Sequence, residues 1–318
     1  QTELDKGDLR ASVAQLYARD AYNGRTIWSL QLGQYRRHGW HRAACTGEGK
    51  VFALSGGKLV CVDGDAGKIL GTVAPKLPNG RFDLCVFSED LLVAAGTVYS
   101  AKTFKPVWKF PNVRYQVLPA TVIGGSVYFC DGESVFGKKL ADGTDLWKVP
   151  VAKLPGPAGK NSLSRAGRNL VVRTKGAKDL FCFSVLDGGS GKILWSFSWK
   201  IRISPKERYF NASKVRVTPA GDDLLVYYRH NKPTVYADEF VVTRLDLATG
   251  KEEVKDKILP DAGDFHGCFG ELRLGDYIAW YDLWIDTKKL ETLRIRTPHP
   301  ACFFGTNSGC GRIFNFPS

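Results

Sequence analysis

An aspartate four residues ahead of a glycine, set between two strand-like runs, recurs along this chain and limits its fold more than any other feature. It occurs as "LYARDAYNGRTIW" with Asp20 and Gly24, and as "LVCVDGDAGKIL" with Asp63 and Gly67. It returns as "FSVLDGGSGKILW" with Asp187 and Gly191, and as "VTRLDLATGKEEV" with Asp246 and Gly250. The spacing is that of a tight β-hairpin. The aspartate carboxylate accepts from amides in the turn, and the glycine supplies a positive φ. Trp28 and Trp195, on the strand that follows, are expected to pack between sheets.

Degenerate copies keep part of the pattern. "FGKKLADGTDLW" retains Gly143 and Trp147, with Lys139 where the aspartate belongs. "VYSAKTFKPVW" retains Trp108, and "YDLWIDTKKLETL" keeps a turn at Asp286, Thr287 and Lys288. Seven hairpins in 318 residues give a period of about 45. Two further strand-like runs precede most hairpins, among them "KVFAL", "LLVAAG", "SVYFC", "NLVVRT" and "LLVYY". Four short antiparallel strands at this period make a propeller blade. The expected fold is all-β, a seven-bladed β-propeller of four-stranded antiparallel blades, in a single domain over residues 1–318. The first hairpin, 16–28, has no inner strands of its own. Strands within 299–316 are expected to complete its blade and remove the exposed edges.

The hairpin resembles the PQQ-like, or quinoprotein-type, repeat of the PQQ-dependent alcohol dehydrogenases and of the bacterial outer-membrane assembly propeller. "LYARDAYNGRTIW" and "LDLATGKEEV" carry the resemblance most clearly. The first of these, with "FHGCF" and "PHPACFFG", is also similar to large secreted bacterial proteins with PQQ-like repeats. The resemblance implies a fold rather than an activity. Those dehydrogenases use eight blades, a disulfide between adjacent cysteines and a calcium ion. Here seven hairpins and no adjacent cysteine pair argue against PQQ as cofactor.

The charge balance of 45 Lys+Arg against 32 Asp+Glu favours anionic partners. No apolar window is long enough for a transmembrane helix. The chain opens on polar "QTELDKGDLR", so a targeting segment is absent from it. The lack of methionine, an oxidisable side chain, fits an extracellular or periplasmic setting. "LDGGSGKIL" is a blade hairpin and not a phosphate loop, because Leu186 and Ile193 stand where such a loop needs glycine and a hydroxyl. "KIRISPKER" has little aromatic interleaving and gives no specific nucleic-acid signal.

In a propeller, each blade's outer strand leads to the next blade's inner strand across one face. Those connections are "QYRRHGWHRAAC", "KLPNGRF", "PNVRYQ", "PAGKNSLSR", "RYFNASKVR", "DAGDFHGC" and "RTPHPAC". All but one carry Arg or Lys, including Arg81, Lys160, Arg165, Lys214 and Arg216, which predicts a positive field around one mouth. The expected ligand-binding residues are Arg36, Arg37, His38, His41, Arg42, Arg114, Tyr115, Arg208 and Arg296. Guanidinium forks suit carboxylate, sulfate or phosphate, so an acidic glycan or an acidic protein surface is the expected partner.

Three of these connections pair histidine with cysteine as His41–Cys45, His266–Cys268 and His299–Cys302, and they serve consecutive blades. A transition metal on His41, His266 and His299, with Cys268 or Cys302, is one reading. Strand packing, or disulfides among Cys45, Cys85, Cys268, Cys302 and Cys310, is another. Cys61, Cys130 and Cys182 sit in apolar runs and are expected to pack in the core. Two function classes follow. One is a binding propeller with a cationic face. The other is an enzyme on the same face, either an acidic-polysaccharide lyase or a metal-dependent enzyme. No catalytic acid–base pair is legible at fixed spacing.

Overall fold

The computed structural model describes residues 11–20, 23–36, 44–47, 49–55, 58–74, 86–88, 90–94, 96–111, 120–156, 162–174, 180–200, 215–230, 239–259, 272–274, 276–280, 283–294, 303–309 and 312–317. Their strands form seven four-stranded sheets. Sheet 1 takes strands from both chain ends, in the order Thr26–Arg36, Ala11–Asp20, Arg312–Pro317, Phe303–Gly309. Its two hairpins meet antiparallel, with Tyr17 opposite Asn315.

The other sheets follow chain order from first strand to last. Sheet 2 is Ala44–Gly47, Lys50–Ser55, Lys58–Asp63 and Ile69–Val73. Sheet 3 is Val86–Ser88, Leu91–Ala94, Thr97–Ser100 and Pro106–Lys109. Sheet 4 is Thr121–Ile123, Ser126–Cys130, Ser134–Lys139 and Asp145–Pro150. Sheet 5 is Ser162–Ala166, Asn169–Thr174, Leu180–Asp187 and Ile193–Lys200. Sheet 6 is Arg216–Ala220, Asp223–His230, Glu239–Asp246 and Glu252–Leu259. Sheet 7 is Leu272–Leu274, Tyr277–Trp280, Leu283–Asp286 and Glu291–Arg294. The only helical segment among the described residues is the 3-10 turn Val151–Lys153. Among them, no helix is long and apolar enough to cross a membrane.

One compact unit is built from sheets 1, 2 and 3, and another from sheets 4, 5, 6 and the last three strands of sheet 7. In both, the middle strands are buried on both faces, which is why they read as continuous apolar runs rather than as alternation. In Lys50–Ser55, Val51 and Ala53 pack toward Leu16 and Ala18 of sheet 1. Phe52 points the other way, into Leu92, Ala94 and Tyr99 of sheet 3. In Leu180–Asp187, Phe181, Phe183 and Val185 pack on Leu224 and Val226 of sheet 6, while Leu186 joins Tyr128 and Val135 of sheet 4. Each of the valine, leucine and phenylalanine side chains among these contributes about 1.5–3 kcal/mol by leaving water. The outermost strands alternate between half-buried and exposed positions, as in Asp145–Pro150.

Seven turns share one backbone closure. The amide of Gly24, Gly67, Gly143, Gly191 and Gly250 donates to the carbonyl four residues back, at 2.8–2.9 Å. Phe104 donates to Ser100 and Leu290 to Asp286 in the same way, both at 2.9 Å. Asp63, Asp187, Asp246 and Asp286 accept from turn amides through Oδ1. Where the sequence has Lys139, Asp142 accepts from the Thr144 amide. Where it has Ser100, the hydroxyl accepts from the Thr103 amide.

The tryptophans explain why glycine is needed beyond its φ. The indole carbons of Trp28, Trp147 and Trp195 lie 2.6 Å from where a Cβ would stand on Gly67, Gly191 and Gly250 of the next sheet. Each indole Nε1 also donates to a carbonyl of that next turn: Trp28 to Gly64, Trp147 to Gly188 and Trp195 to Leu247. Two junctions reverse the arrangement. Gly71 stands where sheet 2 would carry its tryptophan, and Phe104 of the sheet 3 turn lies 3.7 Å from the Cβ position there. Val254 stands at that place in sheet 6, packed on the core that contains Leu290 of the sheet 7 turn. Phe104 and Leu290 hold φ of 59° and 53°, left-handed without glycine. A large residue comes from one side of each of these junctions, and a small one faces it.

Hydrogen bonds to the turn carboxylates set the acid sensitivity. Ser190, through its hydroxyl and its amide, holds the Asp187 carboxyl below the usual range. Thr249 does the same for Asp246, again by hydroxyl and amide. A group depressed on folding adds stability that is complete above its unfolded value near about 4 and is lost as pH falls through its folded value. Asp187→Ala is therefore expected to lower the unfolding midpoint at neutral pH. Its deficit should shrink in acid, as the pH falls through the folded value and the parent also loses the ionised carboxylate. Urea titrations at neutral and acid pH check this, and an equal deficit at both would contradict it.

Candidate functional site

The expected site residues gather on connections that largely lie outside the described residues. That holds for Arg37, His38, His41, Arg42, Cys85, Arg114, Tyr115, Arg208, His266, Cys268, Arg296, His299, Cys302 and Cys310. Arg36 ends the strand Thr26–Arg36, with its backbone opposite Ala11. Cys45 is partly exposed and a free thiol, Cys61 and Cys182 are buried free thiols, and Cys130 is buried. Burial pushes the Cys61 thiol up, which makes it a poor nucleophile.

Arg165 sits elsewhere than the sequence suggests. The strand begins at Ser162, so Arg165 lies opposite Leu170, beside the tight turn at the far end of its sheet. There its Nε donates to the Gly167 carbonyl at 3.0 Å. Burial of Leu163 and Ala166 fixes that register.

Arg216 has a neighbour that the sequence hides. It opens the strand Arg216–Ala220 opposite Tyr227. The other end of that hairpin, Asp223, pairs with the turn residue Asp246. Arg173 is one residue from the end of Asn169–Thr174, opposite Phe183, while Asn169 at the other end pairs with the turn residue Asp187. Both arginines thus occupy the end of their sheet remote from the aspartate turn. The Nη1 atoms of Arg173 and Arg216 converge on one acceptor, the carbonyl of buried Val215, at 3.0 and 3.4 Å. The Arg173 guanidinium also lies 4.9 Å from the centroid of the buried Phe181 ring. Desolvation, and then the charge of Arg216, pull the Arg173 guanidinium down to about 10. At that value the Arg173 guanidinium remains cationic at neutral pH, and Arg216 beside it is exposed. Sequence reading missed Arg173 because "NLVVRT" scans as a core strand.

The opposite, turn end of sheet 6 is acidic. Asp223, Asp246 and Glu253 bring carboxylate oxygens within 4.8 Å of one another. Desolvation and then Glu253 push the Asp223 carboxyl up, against the pull of Arg244. Arg244 Nε lies 3.7 Å from Asp223 Oδ2. Its Nη2 donates to the carbonyls of Thr287 and Lys288 in the sheet 7 turn, the second at 2.7 Å. This charge group straps two sheets together.

Residues 12–169 match the PQQ-type family described as outer membrane protein assembly factor BamB. No curated protein matches the chain significantly. Among solved structures, BamB from Moraxella catarrhalis is similar at 13% identity and TM-score 0.52, over 94% of this chain and 90% of that one. The quinohemoprotein alcohol dehydrogenase ADHIIG from Pseudomonas putida HK5 is similar at 15% identity and TM-score 0.53, over 96% and 67%. The Cps50 (Swd1) β-propeller domain from Myceliophteria thermophila is similar at 11% identity and TM-score 0.53, over 89% and 97%. At these identities the likeness establishes the fold alone.

Proposed function

The chain carries the PQQ-like propeller repeat, and from that premise we propose a secreted or periplasmic binding protein whose cationic face takes an anionic ligand or an acidic partner surface. In this reading residues 1–318 form one domain, with the seven sheets as blades of one ring and the sheet shared by both chain ends completing it. The connections then gather at one mouth, and their arginines and histidines form the binding face.

The observation that carries the proposal is the Arg173–Arg216 pair, two guanidinium groups held together at the connection end of sheets 5 and 6. The turn end of the same sheets mixes the acids Asp187 and Asp246 with the cations Arg165 and Arg244. Paired cations at the connection end would favour anions there. A binding role also fits a repeat family described as an assembly factor.

Isothermal titration with polygalacturonate against neutral galactan tests this. Saturable binding of the polyanion alone is expected, and absence of polygalacturonate binding at low salt would overturn the proposal. Absorbance recorded during the titration reads the enzyme alternative. Appearance of unsaturated uronate would make the protein a lyase, in which arginine neutralises the carboxylate while histidine or tyrosine moves the α-proton.

A further inference from the structure

We propose that Asn23–Gly24, in the sheet 1 turn between Ala11–Asp20 and Thr26–Arg36, is a site of spontaneous deamidation that yields aspartate and isoaspartate. The inference is independent of the binding reading above. Its chemistry is intramolecular and consumes only water. The Gly24 backbone nitrogen gives up its proton to solvent and attacks Asn23 Cγ. The Cγ–Nδ2 bond then breaks, and the nitrogen leaves as ammonia after taking a proton from water. The five-membered succinimide so formed is opened by water. Opening at Cγ gives aspartate, and opening at the main-chain carbonyl carbon gives isoaspartate.

The turn brings the reacting groups together. Asn23, Gly24 and Arg25 are exposed. Gly24 holds φ of 70° with no atom within 4 Å of its Cβ position, so nothing crowds the attacking nitrogen. Asn23 Oδ1 accepts from the Arg25 amide at 2.8 Å, which bends the side chain back over the Gly24 peptide. That same N–H faces the oxygen on which negative charge develops as the new bond forms, as an oxyanion donor does. Arg19 Nη1 donates to the Gly24 carbonyl at 3.2 Å, and its cation favours loss of the nearby amide proton. One bond opposes the attack, from the Gly24 amide to the Asp20 carbonyl at 2.9 Å. It lies in an exposed turn, where local opening costs little. The six other turns with this closure carry Ala66, Thr103, Asp142, Ser190, Thr249 and Lys289 in the place of Asn23, none of them a carboxamide.

Sheet 4 shows what the two products do. Its turn carries Asp142–Gly143, the pair that deamidation makes at 23–24. Asp142 Oδ1 accepts from the Thr144 amide at 2.8 Å, as Asn23 Oδ1 does from Arg25. Gly143 keeps the closure to Lys139 at 2.9 Å with φ of 76°. An aspartate at position 23 therefore preserves the turn. Isoaspartate does not, because its main chain runs through Cβ and Cγ and the extra atom breaks the closure between Gly24 and Asp20. The Thr144 hydroxyl and amide hold the Asp142 carboxyl below the usual range. It stays ionised at neutral pH, and an ionised carboxylate resists attack by the Gly143 nitrogen.

The test incubates the folded protein in mildly alkaline buffer and maps its peptides by mass spectrometry, with aspartate and isoaspartate separated by chromatography. Asn23 is expected to gain one mass unit about tenfold or more faster than Asn169, whose neighbour Leu170 lies in a paired strand. Peptide mapping keeps it apart from the second Asn–Gly pair, Asn79–Gly80, which lies outside the described residues. Gly24→Ala should slow conversion of Asn23 by about tenfold or more, because a side chain then crowds the nitrogen. In urea unfolding Asn23→Asp should match the parent, while the purified isoaspartate form should have a lower midpoint. Conversion of Asn23 in urea but not in the folded protein would overturn the proposal, since the turn would then protect it. Equal rates at Asn23 and Asn169, or in the parent and Gly24→Ala, would overturn it too. An isoaspartate form as stable as Asn23→Asp would overturn the structural consequence.

Discussion

A Gly191→Ala protein is expected to unfold with about 3 kcal/mol less free energy than the parent. Two costs combine. Gly191 holds φ of 72°, where a Cβ costs about 1–2 kcal/mol. The new methyl would also stand 2.6 Å from the indole of Trp147. That ring cannot swing aside cheaply, because Nε1 is bonded to the Gly188 carbonyl at 2.8 Å and one face stacks on Tyr128. Overpacking of this kind costs about 1–3 kcal/mol. Gly24 is the control, since it has nearly the same φ of 70° but no atom within 4 Å of its Cβ position. Gly24→Ala should therefore cost only the backbone part, about 1–2 kcal/mol. In a Trp147→Ala background the extra cost at Gly191 should vanish, giving a coupling of about 1–3 kcal/mol in a double-mutant cycle by urea unfolding. Equal costs at Gly24 and Gly191 would contradict the packing account.

The second large effect is a swap. Phe104→Gly should destabilise by about 1–3 kcal/mol, the loss of a partly buried ring packed on the sheet 2–sheet 3 core less the relief of its left-handed backbone. Gly71→Trp alone should also destabilise, since Phe104 lies 3.7 Å from the Cβ that would be added. Together the two changes rebuild the arrangement seen at Trp28 and Gly67, with the ring now coming from sheet 2. The new indole N–H would face the Ala101 carbonyl, the position that Gly64 occupies in the sheet 2 turn. The double variant is expected to be more stable than either single one, with a coupling of about 2 kcal/mol or more. Additive losses in urea unfolding would mean that the two junction types are not interchangeable.

These junctions show where sequence reading succeeds and where it stops. Asp63 and Gly67, or Asp187 and Gly191, announce a turn because a carboxylate acceptor and a residue free to take positive φ are both chemically distinctive. The same closure at Ser100–Phe104 and Asp286–Leu290 leaves no glycine to see. The closure itself takes φ positive there, and the space left by Gly71 and Val254 in the preceding sheet gives the large side chain a place, a property of two segments and not of one. The middle strands were legible as strands but not as two-faced, since Phe52 and Val51 look alike until their neighbours are known. For the candidate site, Arg216 was legible from the charge of its connection. Arg173 was hidden by its apolar neighbours, and only the register opposite Phe183 brings it beside Val215. Arg165 shows the converse, a cation assigned to a connection that strand register carries to the other end.

The salt dependence of polygalacturonate affinity tests the central claim most directly. If the cationic face binds the polyanion, affinity measured by titration should fall steeply between low salt and about 0.15 M, where the screening length is only about 8 Å. Arg216→Ala should bind more weakly at every salt concentration and with a shallower dependence. Affinity that is indifferent to salt, or equal for neutral galactan, would contradict an electrostatic binding face and with it the proposed function.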